Sequence, residues 1–231
     1  MSGITWLGHG SFQLDTPAGA RVLIDPWITG NPSWPGVAVE RCDAILLTHG
    51  HGDHASDVAA IAQEHSAPVA TIVELAGWIG DQGVGSSIGF NKGGAIELAG
   101  LHVTMTNAVH SSSAPDGTPL GDPAGFVLEA PGMPTIYFTG DTAVHADMGL
   151  IGEIYEPEIA VLSIGDHYTM GPRQAAYAAR LIRAPDIVPG HYGTFPLFTG
   201  TPEALRKELA LIGVSATVYD GQPGEVVRAF E

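Results

Sequence analysis

Between Thr48 and Ala55 the chain reads His49-Gly50-His51-Gly52-Asp53-His54, three histidines and an aspartate in six residues, at the mouth of the apolar run Ala44-Ile45-Leu46-Leu47. That run, bounded by turn-forming residues, predicts a buried strand. Side chains alternate along a strand, so His49 and His51, two apart, can converge on one point. Asp53 and His54 follow a glycine and lead into a predicted helix from Ser56 to about residue 64, so they aim at a second point close by. Burying four such groups unpaired costs several kcal/mol, which requires a strong partner. Two divalent metal ions fit that requirement. Imidazole and carboxylate donors without thiolate suit Zn²⁺ first, and also Mn²⁺, Fe or Co²⁺.

Three further residues of ligand type stand just past apolar stretches. His110 follows the run from residue 101 to 109, Asp141 follows Tyr137-Phe138-Thr139-Gly140, and His191 follows Ile187-Val188-Pro189-Gly190. Loops at one sheet edge are where function concentrates. The same reading predicts an early hairpin, Ile4–Leu7 with Phe12–Leu14, then a strand over Arg21–Asp25. Asp25, ending that strand, is a candidate to hold a ligand histidine from behind and fix its tautomer. A punctuated loop with Trp27 and Trp34 follows, offering either a pocket wall or plain packing. Strands are predicted at 69–73, 96–98, 101–105, 125–129, 135–138, 159–164 and 187–188, with a last strand at 216–219. Helices are predicted at 74–82, 146–155, 172–183 (Pro172 at its N1 position) and 202–212. Strands followed by helices, twice over, imply an α/β protein of two packed mixed sheets with helices outside. No linker or repeat divides it, so residues 1–231 read as a single domain.

Charge excludes some functions. The chain carries 25 acidic residues against nine Lys and Arg, a formal net charge of −16. No basic cluster exists to neutralise phosphates, so a nucleic-acid partner is not expected, and a small-molecule substrate is. No apolar run approaches the roughly 18–20 residues of a membrane span, so no membrane association is expected. The N-terminal stretch lacks the pattern of a secretory signal. A single cysteine, Cys42, precludes an internal disulfide and fits a reducing cytoplasm. Its expected role is that of a small core residue.

Six segments together resemble a known family: Trp6-Leu7-Gly8-His9-Gly10-Ser11-Phe12, Leu23-Ile24-Asp25-Pro26-Trp27, Thr48 to His54, Thr139-Gly140-Asp141-Thr142, Ile164 to Pro172, and Pro189-Gly190-His191-Tyr192-Gly193. The chain resembles the metallo-β-lactamase superfamily and, within it, is similar to the metal-dependent hydrolases of the ascorbate-6-phosphate-lactonase-like branch. The resemblance implies an αβ/βα four-layer sandwich. It implies one metal on His49, His51 and His110, a second on Asp53, His54 and His191, and Asp141 bridging both. A hydroxide shared by the two ions would be the nucleophile, since metals lower the pKa of bound water to about 7. The implied catalytic residues are Asp53, His9 in an active-site loop, and His167 for proton transfer. Asp166 would join Asp25 in supporting the site from behind. Arg173 reads as a solvated helix position, and His65, His102 and His145 match no ligand position. The expected activity is hydrolysis of a small ester, lactone or phosphoester, and the branch commonly forms homo-oligomers. A phosphodiesterase or nuclease-type hydrolase is a second reading, opposed by the missing basic face. An iron-dependent oxidoreductase on the same scaffold is a third, opposed by histidine at position 51 and by the lack of a flavin domain. A metal-bound scaffold without turnover is the non-enzymatic alternative.

Overall fold

The computed structural model describes residues 2–230. In chain order the elements are β1 (Gly3–Trp6), β2 (Phe12–Asp15), β3 (Arg21–Ile24), β4 (Ala44–Leu46), α1 (Gly52–Ala55), α2 (Val58–His65), β5 (Val69–Ile72), α3 (Val73–Asp81), β6 (Ser87–Phe90), β7 (Ala95–Leu98), β8 (Leu101–Asn107), β9 (Ala124–Glu129), β10 (Ile136–Phe138), α4 (Asp147–Tyr155), β11 (Ile159–Ser163), α5 (Pro172–Ile182), β12 (Asp186–Gly190), α6 (Pro202–Leu211), β13 (Thr217–Val218) and β14 (Val226–Ala229).

They form two seven-stranded sheets, ordered β14-β1-β2-β3-β4-β5-β6 and β13-β12-β11-β10-β9-β8-β7. Each sheet is antiparallel on one side and parallel on the other. The parallel runs are β3-β4-β5-β6 and β10-β11-β12-β13. The central strands β4, β5, β10 and β11 are buried throughout, as strands covered on both faces must be. One core cluster joins the inner faces of the two sheets, with Phe12, Leu23, Leu46, Phe126 and Phe138 among its members. A second lies beneath α4, α5 and α6, where Ala175, Ala176, Ala178 and Ala179 let α5 pack closely against β11. The expected αβ/βα sandwich is therefore the observed one.

Strand direction determines where the site lies. β1 and β3 are each antiparallel to β2, so they run the same way. β8 and β10 are each antiparallel to β9 and also share a direction. The carboxyl ends of β1, β3 and β4 thus open at one edge of the first sheet. Those of β8, β10, β11 and β12 do the same in the second. Ligand sites of α/β sheets lie outside the carboxyl ends of parallel strands, and the loops carrying His9, Asp25, His49, His110, Asp141 and His191 all leave from such ends.

The structure corrects the sequence reading at three places. The helix expected over 56–64 is α2, but Asp53 and His54 do not lie in a loop ahead of it: they belong to a separate short helix, α1. The edge strand β6 was not foreseen, because its residues are half-exposed and Gly89 interrupts them. β13 is not the last strand: β14 pairs antiparallel with β1, Gly3 opposite Ala229 and Ile4 opposite Arg228, and closes the first sheet. Its mixed exposure gives no alternating pattern to read. Among the described residues no helix is long and apolar enough to cross a membrane.

Candidate metal centre

Two groups of ligand-type atoms assemble at this edge. Nitrogens of His49, His51 and His110 lie within 4.8 Å of one another, and so do ligand atoms of His9, Asp53, His54 and His191. Donors bound to one ion at about 2.1 Å can be no more than about 4.2 Å apart, a spacing both groups approach. Asp141 stands between them, its Oδ2 2.9 Å from His191 Nε2, 3.3 Å from His54 Nε2 and 3.9 Å from His110 Nε2. The Nε2 atoms of His49, His54 and His191 are buried and form no hydrogen bond. Such orphaned polar atoms are costly inside a protein. Three of them around one carboxylate fit a site built for cations.

A hydrogen-bond relay fixes which nitrogens face the centre. Asp25 is buried; its Oδ1 accepts from the Thr48 backbone N–H at 2.7 Å, and its Oδ2 accepts from Thr48 Oγ1 at 2.6 Å and His54 Nδ1 at 2.8 Å. A carboxylate can only accept, so the single hydroxyl proton of Thr48 goes to Asp25. The Thr48 oxygen must then accept from His49 Nδ1, 2.9 Å away. Both His49 and His54 are thereby held with Nδ1 as donor and Nε2 turned to the cluster, the arrangement that outer hydrogen-bond partners give metal-binding histidines.

The backbone around the relay is unusual. His9, Asp25 and His191 all have positive φ, at 54°, 48° and 55°, a region that non-glycine residues seldom enter and that concentrates at functional sites. The His191 N–H donates to the His9 carbonyl at 2.8 Å, tying two of these residues together. Space is equally constrained: a Cβ at Gly10 would lie 2.5 Å from His54 Cε1, and one at Gly165 would lie 1.9 Å from the His191 carbonyl oxygen.

Apart from His54, the perturbed groups of the cluster are shifted toward the protonation states that bind metal. Burial lowers His9 to a pKa of about 4, although its bond to Asp53 opposes this. A neutral His9 therefore donates from Nε2 to Asp53 Oδ2 at 3.0 Å and accepts at Nδ1 from Thr194 Oγ1 at 2.9 Å. Burial would raise Asp53, but the His9 bond and the His54 charge hold it well below the usual carboxylate range. Asp141 likewise resists the effect of burial, through His191 and His54, and stays well below that range. Burial, with neighbouring His54, pushes His49 down, and burial is also the leading cause for His51 and His110. His54 alone is held well above its ordinary value, because Asp141 and Asp25 overcome its burial. Anionic carboxylates and neutral imidazoles are the forms that ligate.

Two expected residues fall outside the cluster. Asp166 does not stand behind a ligand histidine: it is exposed and accepts at Oδ1 from the His167 backbone N–H at 2.8 Å, ordering its own turn. His167 is also exposed, packed edge-on against Tyr168 at 4.4 Å, and makes no hydrogen bond to the cluster. Both have positive φ, which turns the loop after β11 outward. His102 pairs with Glu97 on the surface and His145 lies beside Asp147, away from the centre. The sequence reading gave no role to Thr48, Thr194 or Gly10. Their only signal was a place within three residues of a candidate histidine. Trp27 proves to be wall and packing at once, buried with its ring 5.1 Å from His9.

A family model described as the beta-lactamase superfamily domain matches residues 20–192. A metal-dependent hydrolase from Herpetosiphon aurantiacus is 54% identical over 230 residues, covering 96% of this chain and 95% of the relative. Among solved structures, the metallo hydrolase Igni18 from Ignicoccus hospitalis is 35% identical with a TM-score of 0.85, covering 96% of this chain and 95% of that one. An isothiocyanate hydrolase from Delia radicum gut bacteria is 25% identical with a TM-score of 0.72, covering 96% and 97%.

Proposed function

The chain belongs to the metallo-β-lactamase superfamily and is a metal-dependent hydrolase, and from that premise we propose that it hydrolyses a small ester, lactone or phosphoester at a centre built for two divalent cations. His49, His51 and His110 would hold one ion, Asp53, His54 and His191 the other, and Asp141 both. When bound, such ions supply hydroxide at neutral pH and polarise the bond to be cleaved. Zn²⁺ suits the donor set best, and Mn²⁺ or Fe are compatible with it.

The chain's own residues supply the rest. Asp25 and Thr48 hold the His49 and His54 rings in the ligating tautomer. His9 anchors the Asp53 carboxylate through Nε2 and is itself pinned by Thr194. Asp53, whose side chain is 36% exposed, is the carboxylate of the cluster open to an incoming molecule. The observation that carries this reading is the buried Nε2 atoms of His49, His54 and His191, none of them in a hydrogen bond, with those of His54 and His191 at 3.3 and 2.9 Å from Asp141 Oδ2. A fully buried imidazole nitrogen kept from any hydrogen bond is otherwise an uncompensated cost.

The test is metal analysis of the purified protein joined to a hydrolysis screen across lactones, phosphodiesters, thioesters and β-lactams. His51→Ala is expected to lose one metal equivalent and turnover while keeping its fold by circular dichroism. Full turnover in a variant shown to be metal-free would overturn the mechanism.

A further inference from the structure

The approach to the cluster is lined by aromatic rings from three separate loops. Phe198 lies 5.1 Å from the His191 ring and 5.8 Å from His9, and Phe195 lies 5.6 Å from Phe198 and 6.3 Å from both His9 and Trp27. Tyr168, 60% exposed, extends this wall outward at 6.1 Å from Phe198. Leu197 adds an exposed aliphatic side chain on the same loop. Phe198 is buried behind this wall, while half-buried Phe195 and exposed Tyr168 leave apolar ring area open beside the polar cluster. Beside the motif the added polar groups are uncharged hydroxyls: Ser112 Oγ accepts from the Gly50 N–H, and Ser111 Oγ reaches His51 Nε2 at 3.3 Å.

Among the described residues no Lys or Arg makes an ion pair or ring contact with these lining residues. None of the nine Lys and Arg pairs with Asp25, Asp53 or Asp141. Six pair with other acids, Arg180 lies over the Tyr177 ring, and Arg183 caps the end of α5. Arg173 is exposed in the first turn of α5 and forms no ion pair among the described residues. Phosphate and carboxylate groups are held by Arg forks or Lys charges. A substrate bearing such a group beyond its reacting bond would find no counter-charge here, within a chain of net charge −16.

We infer that the substrate is an uncharged small molecule whose apolar or aromatic group packs on Phe195, Phe198 and Tyr168. This inference rests on the hydrolase reading above and narrows its substrate class to neutral esters or lactones. In the reaction a water oxygen bonds to the acyl carbon, the acyl C–O bond breaks, and the alcohol and the acid each leave with one of water's protons.

The experiment uses metal-reconstituted full-length protein and three esters sharing one acyl group, with a benzyl, a carboxylated benzyl and a phosphorylated benzyl alcohol. Binding of benzyl methyl ether, which cannot be hydrolysed here, is followed separately by tryptophan fluorescence. The neutral ester is expected to have a kcat/KM at least about a hundredfold above either anionic ester. Phe195→Ala, and the milder Phe195→Leu should the first not fold, is expected to raise KM for the neutral ester about tenfold, about 1.4 kcal/mol of binding, and to weaken the ether equally. Preference for a phosphorylated or carboxylated ester, above all one lost in Arg173→Ala, would overturn the assignment. So would Phe195 variants with unchanged KM and ether binding. Phe195-dependent binding without turnover of any ester would instead overturn ester hydrolysis as the reaction and leave the neutral-ligand assignment standing.

Discussion

At the residue scale the decisive group is a hydroxyl that the metal motif does not include. Thr48 Oγ1 links Asp25 to His49, while Asp25 reaches His54 directly, so one carboxylate and one hydroxyl fix the tautomers of ligands assigned to two different ions. Thr48→Val keeps the shape and removes the proton that makes this work. Metal affinity is expected to fall about 10- to 100-fold, the usual cost of losing the hydrogen-bond partner of a ligand histidine, with Thr48→Ser restoring it. Competition against a chromophoric chelator measures this directly, and an affinity unchanged in the valine variant would show that the relay does not set the tautomer. The motif histidines are legible in the sequence because several ligand-type residues in six positions have few structural uses. Thr48 is not, because a threonine at a strand end is ordinary until its partners are known.

Among the elements, β14 shows how a weak local signal acquires a structural role. Four residues of mixed exposure pair with β1, Phe230 beside them is buried, and Arg228 reaches Asp186 on β12 of the other sheet at 2.8 Å. Without β14 the edge of β1 would present unpaired backbone groups. Deleting residues 222–231 removes that ladder and the Phe230 burial, a loss of about 2 kcal/mol or more. The thermal midpoint is expected to drop by roughly 4–8 °C, with the β1 amides exchanging faster. An unchanged midpoint would place β14 outside the cooperative unit. β4 lies at the opposite extreme, since its continuous apolar run leaves one reading only. β6 and β14 escaped notice because edge strands need no alternating pattern when only part of one face is covered.

Considered as a whole, the molecule gathers three aspartates and six histidines at the junction of its sheets, His9, Asp25, His49, His51, Asp53, His54, His110, Asp141 and His191, several of them fully buried. Cations bound there link their affinity to folding. At a hundredfold excess over Kd an ion contributes about 2.7 kcal/mol, so chelation is expected to lower the midpoint by roughly 5–10 °C for a chain of this size. Adding back Zn²⁺ or Mn²⁺ should restore it, and scanning fluorimetry with and without EDTA follows both steps. A midpoint indifferent to chelator and metal would contradict a folded-state metal centre.

Sequence alone determined the chemistry available to this protein: the 49–54 cluster, the ligand-type residues past successive apolar strands, and the alternation of strands and helices that implies two packed sheets. Those are local properties, written in neighbouring residues. The tertiary structure alone decided which of them meet. It brought His9 onto Asp53, turned Asp166 and His167 outward, threaded Thr48 between Asp25 and His49, and raised the aromatic wall of Trp27, Phe195, Phe198 and Tyr168. The reason is physical: convergence depends on strand direction, on positive φ at His9, Asp25 and His191, and on close approaches such as Gly10 against His54. These are set by segments far apart in the chain, so no window of sequence contains them.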